Sequence, residues 1–326
     1  MNKTVKIVLL VLLAAFLLAL PYLAEFAGGR AFTSLATRAL IYGIAAASLN
    51  LALGYGGMIS FGHAAFFGIG GYVVGILAYH HGTGEPFLGF IPGSNQLLVT
   101  IPVAILVSGL FAALIGALSL RTSGVQFIMI TLAFAQMVFF LFVSLETYGG
   151  DDGLIIRRTN EFFGLNLRDR TTMYYLCLGI AALVLFAIWR IVRSRFGFAL
   201  VGIRQDERRM GAIGLDTYRY KLVGFILSGI GAGIAGALMA NFLRFASPDM
   251  LAWTKSGELM IMVILGGVGT LAGPFIGAAV FIVLESVLAS WTANWQFPLG
   301  IILLFVVLFT HGGVQGLIER IGGRRK

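Results

Sequence analysis

Charge is scarce in this chain. Only 11% of its 326 residues are Asp, Glu, Lys or Arg, against 59% hydrophobic. Soluble domains carry roughly 25% charged residues, and a soluble fold of this size could not hide so much apolar surface. A bilayer removes the difficulty, because lipid is itself the apolar solvent. Cysteine and histidine are as sparse. The single cysteine, Cys177, sits in an apolar run. It excludes an internal disulfide and reads as a small core or lipid-facing residue. The histidines His63, His80, His81 and His311 are scattered, with no metal-ligand spacing. No Gly-Lys dipeptide occurs, so no Gly-x-x-x-x-Gly-Lys-Ser/Thr loop is there to cradle ATP phosphates. No nucleophile–base pair can be named. These absences describe a chain that passes something through a bilayer and does no chemistry on it.

What the chain has is apolar length and glycine. Its 44 glycines fit membrane helices, where small residues permit close contact and local breaks. Ten apolar segments stand between polar breaks, at about 7–23, 39–54, 63–79, 97–119, 125–145, 172–191, 222–243, 257–269, 273–290 and 298–311. A spanning helix needs about 20 residues. Several segments are shorter, and 257–269 would reach only about 20 Å at 1.5 Å per residue. The expected fold is therefore all-α and polytopic, with about 8–10 transmembrane helices, some broken or half-length. The whole chain, 1–326, reads as one transmembrane domain. Lys3 and Lys6 precede the apolar run Ile7 to Leu20 as in a signal peptide, but no small-x-small cleavage site follows, which favours an uncleaved first span over a cleaved one.

The net charge of +9 reads as the positive-inside bias. Nucleic-acid binding would need a basic patch on a polar folded module, and no such stretch exists. With ten crossings, the inside holds Lys3, Lys6, Arg121, the basic cluster between Arg190 and Lys221, and the tail Arg320, Arg324, Arg325 and Lys326. Both termini are then expected in the cytoplasm, with loop 146–171 outside and the strongly basic loop 192–221 inside.

Two glycine stretches interrupt the apolar runs. In the first, Gly54, Gly56 and Gly57 lie between Asn50 and the pair Ser60 and His63. Non-helical backbone at membrane depth is tolerated only where it is buried in protein or lines a wet cavity. The stretch reads as the lining of a translocation path, with close packing through small residues as the alternative. For His63 the alternative is a buried histidine satisfied by a neighbouring carbonyl. The second stretch, Gly266-Gly-Val-Gly-Thr-Leu-Ala-Gly-Pro274, reads as a turn between two half-length helices, with Pro274 opening the second. Glu258 and Glu285 lie in these two pieces. A carboxylate at mid-membrane costs roughly 2.5–3.5 kcal/mol, so each is a path candidate unless solvated at an interface. The path candidates are Asn50, Gly54, Gly57, Ser60, His63, Glu258, Gly266, Gly267 and Glu285.

Loop 192–221 has a helical pattern. Leu200, Ile203, Met210 and Ile213 recur at helical spacing. Gly214 is suited to a left-handed stop, and Asp216 or Thr217 to capping the next span. The expectation is one amphipathic helix over 198–213, lying on anionic lipid or docked in a groove of a partner.

The string Gly202-Ile-Arg-Gln-Asp-Glu207, then Ala212-Ile-Gly-Leu215 and Tyr218-Arg-Tyr-Lys-Leu222, resembles the coupling-helix region of the LivM-type permeases of branched-chain amino acid ABC importers. The run from Leu49 to Gly68 is similar to that family's early glycine motif, and Gly266 to Pro274 to its late one. The resemblance covers roughly residues 35–315. It departs from the general Glu-Ala-Ala coupling motif, with Arg208-Arg-Met-Gly211 in that region.

The resemblance implies a permease of the bacterial inner membrane that imports branched-chain amino acids from periplasm to cytoplasm. It implies a second, LivH-like permease, two ATP-binding subunits, and a periplasmic substrate-binding protein. This chain would itself hold no cofactor, ATP being bound by the partners. Loop 192–221 would carry the coupling helix, with Ile203, Arg204, Asp206, Glu207, Arg208, Met210 and Gly214 as the ATPase-coupling candidates. The alternatives are an importer of urea, short amides or polar amino acids, and an ion-coupled secondary transporter using Glu258, Glu285 and His63 as proton carriers.

Overall fold

The computed structural model describes residues 15–22, 30–86, 92–157, 160–162, 165–292 and 294–309. Lys3, Lys6, the start of the first apolar run, His311 and the basic carboxyl tail lie outside the described residues. Residues 15–22 form α1. Helix α2 (Arg30–Asn50) runs into one π-helical turn, Leu51–Tyr55, and α3 follows at His63–Thr83. Then come α4 (Leu97–Ser119), α5 (Val125–Val143), α6 (Arg170–Val192), α7 (Arg195–Gln205), α8 (Glu207–Ala212), α9 (Thr217–Leu243), α10 (Trp253–Gly266), α11 (Gly273–Trp291) and α12 (Gln296–Phe309). Strand content among the described residues is four two-residue pieces: β1 (Leu154–Ile155), β2 (Glu161–Phe162), β3 (Leu165–Asn166) and β4 (Phe245–Ala246).

Seven described stretches are long and apolar enough to cross a membrane: Ala31–Tyr55, His63–Thr83, Leu97–Ser119, Val125–Val143, Arg170–Val192, Thr217–Leu243 and Gly273–Trp291. The protein is an all-α, multi-pass membrane protein. Where they are described, the ten apolar segments fall largely on helices. Two of the expected details are corrected. Helix α2 begins nine residues before the expected 39, and α11, expected to be half-length, has 19 residues. Helix α10, with 14 residues, is the short one.

Local chemistry sets the helix starts. Asp169 caps α6, accepting from the Thr172 backbone N–H at 3.0 Å and from its hydroxyl at 2.9 Å. Those bonds hold its carboxyl below the ordinary carboxylate pKa. Ser194, Asp206 and Asp216 cap α7, α8 and α9 in the same manner.

Helix α9 is the centre of the packing and touches α2, α3 and α4. Glycine makes this approach possible. A Cβ on Gly70 of α3 would lie 2.7 Å from the Gly233 carbonyl carbon of α9, and closer to its oxygen. Gly229 and Gly233 are spaced as in Gly-x-x-x-Gly helix contacts.

Strand β1 pairs antiparallel with β4, Leu154 opposite Ala246 and Ile155 opposite Phe245. The α5–α6 and α9–α10 connections therefore meet at one end of the bundle, the hairpin end. The other end gathers the α4–α5 turn with α7 and α8. There the Tyr218 hydroxyl donates to the Ala117 carbonyl at 2.9 Å, and Lys221 pairs with Glu207 at 2.6 Å. Because Arg190, Arg193, Arg195, Arg204, Arg208, Arg209, Arg219 and Lys221 concentrate there, it is the basic end.

Candidate functional site

The two glycine stretches meet at the basic end. Asn50, the last residue of α2, donates from Nδ2 to the Thr270 carbonyl at 2.8 Å. Its Oδ1 accepts from the Gly269 backbone N–H at 2.9 Å. One amide side chain thus clamps the α10–α11 turn onto the end of α2, across more than 200 residues of sequence. A Cβ on Gly54 would fall 2.6 Å from the Gly269 nitrogen, so only glycine lets these backbones touch. Gly266 closes the turn from the other side, against Gly273 and Gly277. Gly267 leaves the helix at φ 122°.

Arg204 enters this junction from α7. Its guanidinium donates to the Gly54 carbonyl. Its Cγ occupies the space a Cβ on Gly57 would need, at 2.9 Å, and Gly57 has φ 69°. A Cβ on Gly269 would lie 3.2 Å from Arg204 Nη1. Arg204 therefore touches both glycine turns, and Asn50 fastens them to each other. Ile203 is buried beside it, and Leu200 packs on Leu51 and Tyr55. A cleft of about 290 Å³ lies alongside, lined by Gly57, Ile59, Phe127, Ile203, Arg204 and Glu207 among others.

The loop itself corrects the expected helix 198–213. It is two helices, broken at Asp206, whose backbone is extended at φ −156°. The Asp206 carboxylate accepts from the Arg209 N–H at 3.1 Å and pairs with its guanidinium at 2.7 Å. The apolar stripe also divides. Leu200 and Ile203 turn inward against this chain's own helices, while Ile213 is 73% exposed. Met210 fills the space above Gly202 and holds α8 against α7. Arg208 is exposed on α8, and Gly214 ends the segment at φ 89°.

Residues 56–62, between the π-helical turn and α3, have no helical ladder of their own. Gly56, Gly57 and Met58 bond back to carbonyls of the π-helical turn, and neighbouring hydroxyls supply partners further on. The Phe61 N–H donates to Thr131 Oγ1 at 3.3 Å, and its carbonyl accepts from Ser256 Oγ at 2.6 Å. Ser256 Oγ accepts in turn from the Ala64 N–H at 2.8 Å, and Ser60 Oγ from the Gly62 N–H at 3.1 Å. The first glycine stretch thus connects two full spans.

His63 is fully buried at the start of α3. Its Nε2 lies 2.7 Å from Ser228 Oγ, whose one hydrogen goes to the Ser48 carbonyl at 2.5 Å. Nε2 must therefore be the donor, which leaves Nδ1 unprotonated and without a partner. Phe66 and Phe225 stand edge-on to the ring. The ring thus has one hydrogen-bond partner, a serine hydroxyl and not the carbonyl expected.

Glu258 and Glu285 stand apart from the glycine junction. Glu285 pairs with Arg38 at 2.7 Å and Glu258 with Lys255 at 2.9 Å. Arg38, Lys255, Thr131, Ser228 and Ser256 were not singled out from the sequence. The signal available was a hydroxyl or a charge inside an otherwise apolar run.

A family model described as branched-chain amino acid transport system, permease component, matches residues 31–309. The high-affinity branched-chain amino acid transport system permease protein LivM of Escherichia coli K12 is 29% identical, over 92% of this chain and 74% of the relative. The probable branched-chain amino acid transport permease protein LivM of Methanocaldococcus jannaschii is 25% identical, over 80% of this chain and 82% of the relative. LivH of the E. coli system is 22% identical, over 82% and 88%. No solved structure matches the chain.

Proposed function

The chain belongs to the permease-component family of branched-chain amino acid transport systems, and from that premise we propose that it is the LivM-type permease of an ATP-driven importer. The substrate class is the branched-chain, hydrophobic amino acids, moved inward across a bacterial inner membrane. In this reading the basic end is cytoplasmic, by the positive-inside bias. A LivH-like permease completes the pore, two ATP-binding subunits sit under the basic end, and a periplasmic binding protein delivers substrate at the hairpin end. ATP is bound and hydrolysed by the partners.

The observation that carries this reading is the contact of Arg204 with both glycine turns. A load applied to the α7–α8 loop is passed by a charge-assisted contact to the α2–α3 and α10–α11 connections at once. The glycines 54, 57, 266 and 267 are then hinges of the transport cycle, with Asn50 keeping the two turns in step. Loop 192–221 divides its work. Leu200, Ile203 and Arg204 face this chain, and α8 with Arg208 and Ile213 faces the ATPase.

That division is testable on α8. Ile213→Asp changes an exposed side chain, so insertion and folding should be unaffected. Recovery of the ATP-binding subunits with the purified permease pair is expected to fall about tenfold, the loss of one apolar contact of about 1.4 kcal/mol. Unchanged recovery, together with unchanged leucine uptake, would remove α8 as the docking element.

A further inference from the structure

Apart from Arg30, Arg170, Arg190, Arg219 and Lys221, the described residues of α2–α6 and α9–α12 hold four charged side chains, one of them, Lys255, in the first turn of its helix. They are Arg38, Lys255, Glu258 and Glu285. All four gather in one place. Arg38 pairs with Glu285, and Lys255 with Glu258. Lys255 lies within electrostatic reach of Glu285 and Tyr42, and the Arg38 guanidinium stands 5.7 Å from the Tyr42 ring. The result is a net-neutral quartet on the face formed by α2, α10 and α11.

The quartet is paired but not enclosed. Its side chains keep exposures of 33% and 15% for Arg38 and Glu285, and 28% and 22% for Lys255 and Glu258. Ionised groups inside membrane helices face a bundle interior or water, because lipid cannot solvate them. The other faces of the chain look different. Helix α4 turns Leu106, Leu110, Leu114 and Leu118 outward, and α6 turns out Leu183 and Phe186. That surface suits acyl chains. On α11, by contrast, the outward residues beside the quartet are shorter, Ala279, Val283, Ser286, Val287 and Ser290, with Trp291 exposed at the helix end. Small side chains permit another helix to approach closely.

Resting on the permease reading above, we propose that the α2–α10–α11 face is where the second permease packs, and that the quartet opens on the aqueous path at that junction. Lipid covers the α4 and α6 faces. The pairing within the quartet keeps the junction neutral, so that a zwitterionic substrate meets no net charge there.

A photoreactive residue placed at Val283 or at Leu110, one at a time in the reconstituted complex, reads the occupant of each face. Val283 is expected to yield a covalent product with the second permease, and Leu110 only lipid adducts. Lipid adducts alone from Val283, or a permease product from Leu110, would overturn the assignment of the face. A product joining two copies of this chain would overturn the choice of occupant. A purified complex lacking any second permease would instead overturn the pairing on which the proposal rests. Water access has its own test. Thr254→Cys, exposed next to Lys255, should react with a water-soluble maleimide in the complex, while Leu110→Cys should not; equal labelling of both would overturn the aqueous path. The unsubstituted chain is the blank, since Cys177 is buried.

Discussion

Replacing Arg204 with alanine is expected to cut amino acid uptake by tenfold or more while ATP hydrolysis by the proposed partner subunits continues. A hydrogen bond from a charged donor contributes about 1.5–3 kcal/mol, a factor of roughly 10 to 100 in an equilibrium constant. Here the acceptor is the Gly54 carbonyl, at the connection proposed to move. The same side chain fills the space above Gly57 and beside Gly269, so its loss frees both turns from α7. Arg204→Lys should recover part of the coupling. Lysine carries the charge, but its ammonium is a point donor and lacks the planar fork of arginine. The check is the ratio of uptake to ATP consumed in reconstituted complexes, with thermal stability measured alongside. Normal coupling in the alanine variant would mean that α7 passes its motion by another route.

The second large effect is structural. Gly236 on α9 lies against the backbone of α3, where a Cβ would come within 2.6 Å of the Phe67 carbonyl carbon and closer still to its oxygen. Backbone cannot swing aside as a long side chain does. Gly236→Val should therefore force α9 off α3, at a cost above the roughly 1–3 kcal/mol usual for overpacking. Little monodisperse protein should survive detergent extraction. Gly179 on α6 is the control, since no heavy atom stands near its missing Cβ. Gly179→Val should extract and unfold like the parent. Equal behaviour of the two variants would refute the close α3–α9 contact.

Much of this architecture was legible because a bilayer constrains a helix by length and polarity, and the ten apolar segments followed from that. The start of α2 was misplaced because Thr33, Thr37 and Arg38 look polar in sequence. In the fold, the Thr37 hydroxyl donates to the Thr33 carbonyl at 2.8 Å and both threonines are buried. A hydroxyl satisfied within its own helix no longer argues against a span. The α7–α8 break escaped notice because Asp206 sits in a good helical pattern, yet a short acidic side chain competes for backbone N–H groups and starts a new helix instead.

Periodicity was equally blind to direction. It marked Leu200 and Ile203 as a face to be buried, and could not say that this chain's own Leu51 and Tyr55 would bury it. The two glycine motifs were legible separately. Their meeting through Asn50 was not, because a contact between residues 220 apart leaves no local trace. The same holds for Glu285, whose partner Arg38 lies 247 residues away.

On the proposed function, this chain conducts branched-chain amino acids on energy supplied from outside itself. Vesicles reconstituted with both permeases, the ATP-binding subunits and the binding protein test it directly, with leucine outside, ATP inside and all ion gradients collapsed. Uptake should persist, should require ATP, and should stop when the ATP-binding subunits are omitted. Uptake that ignores ATP and dies with the gradient would contradict the account.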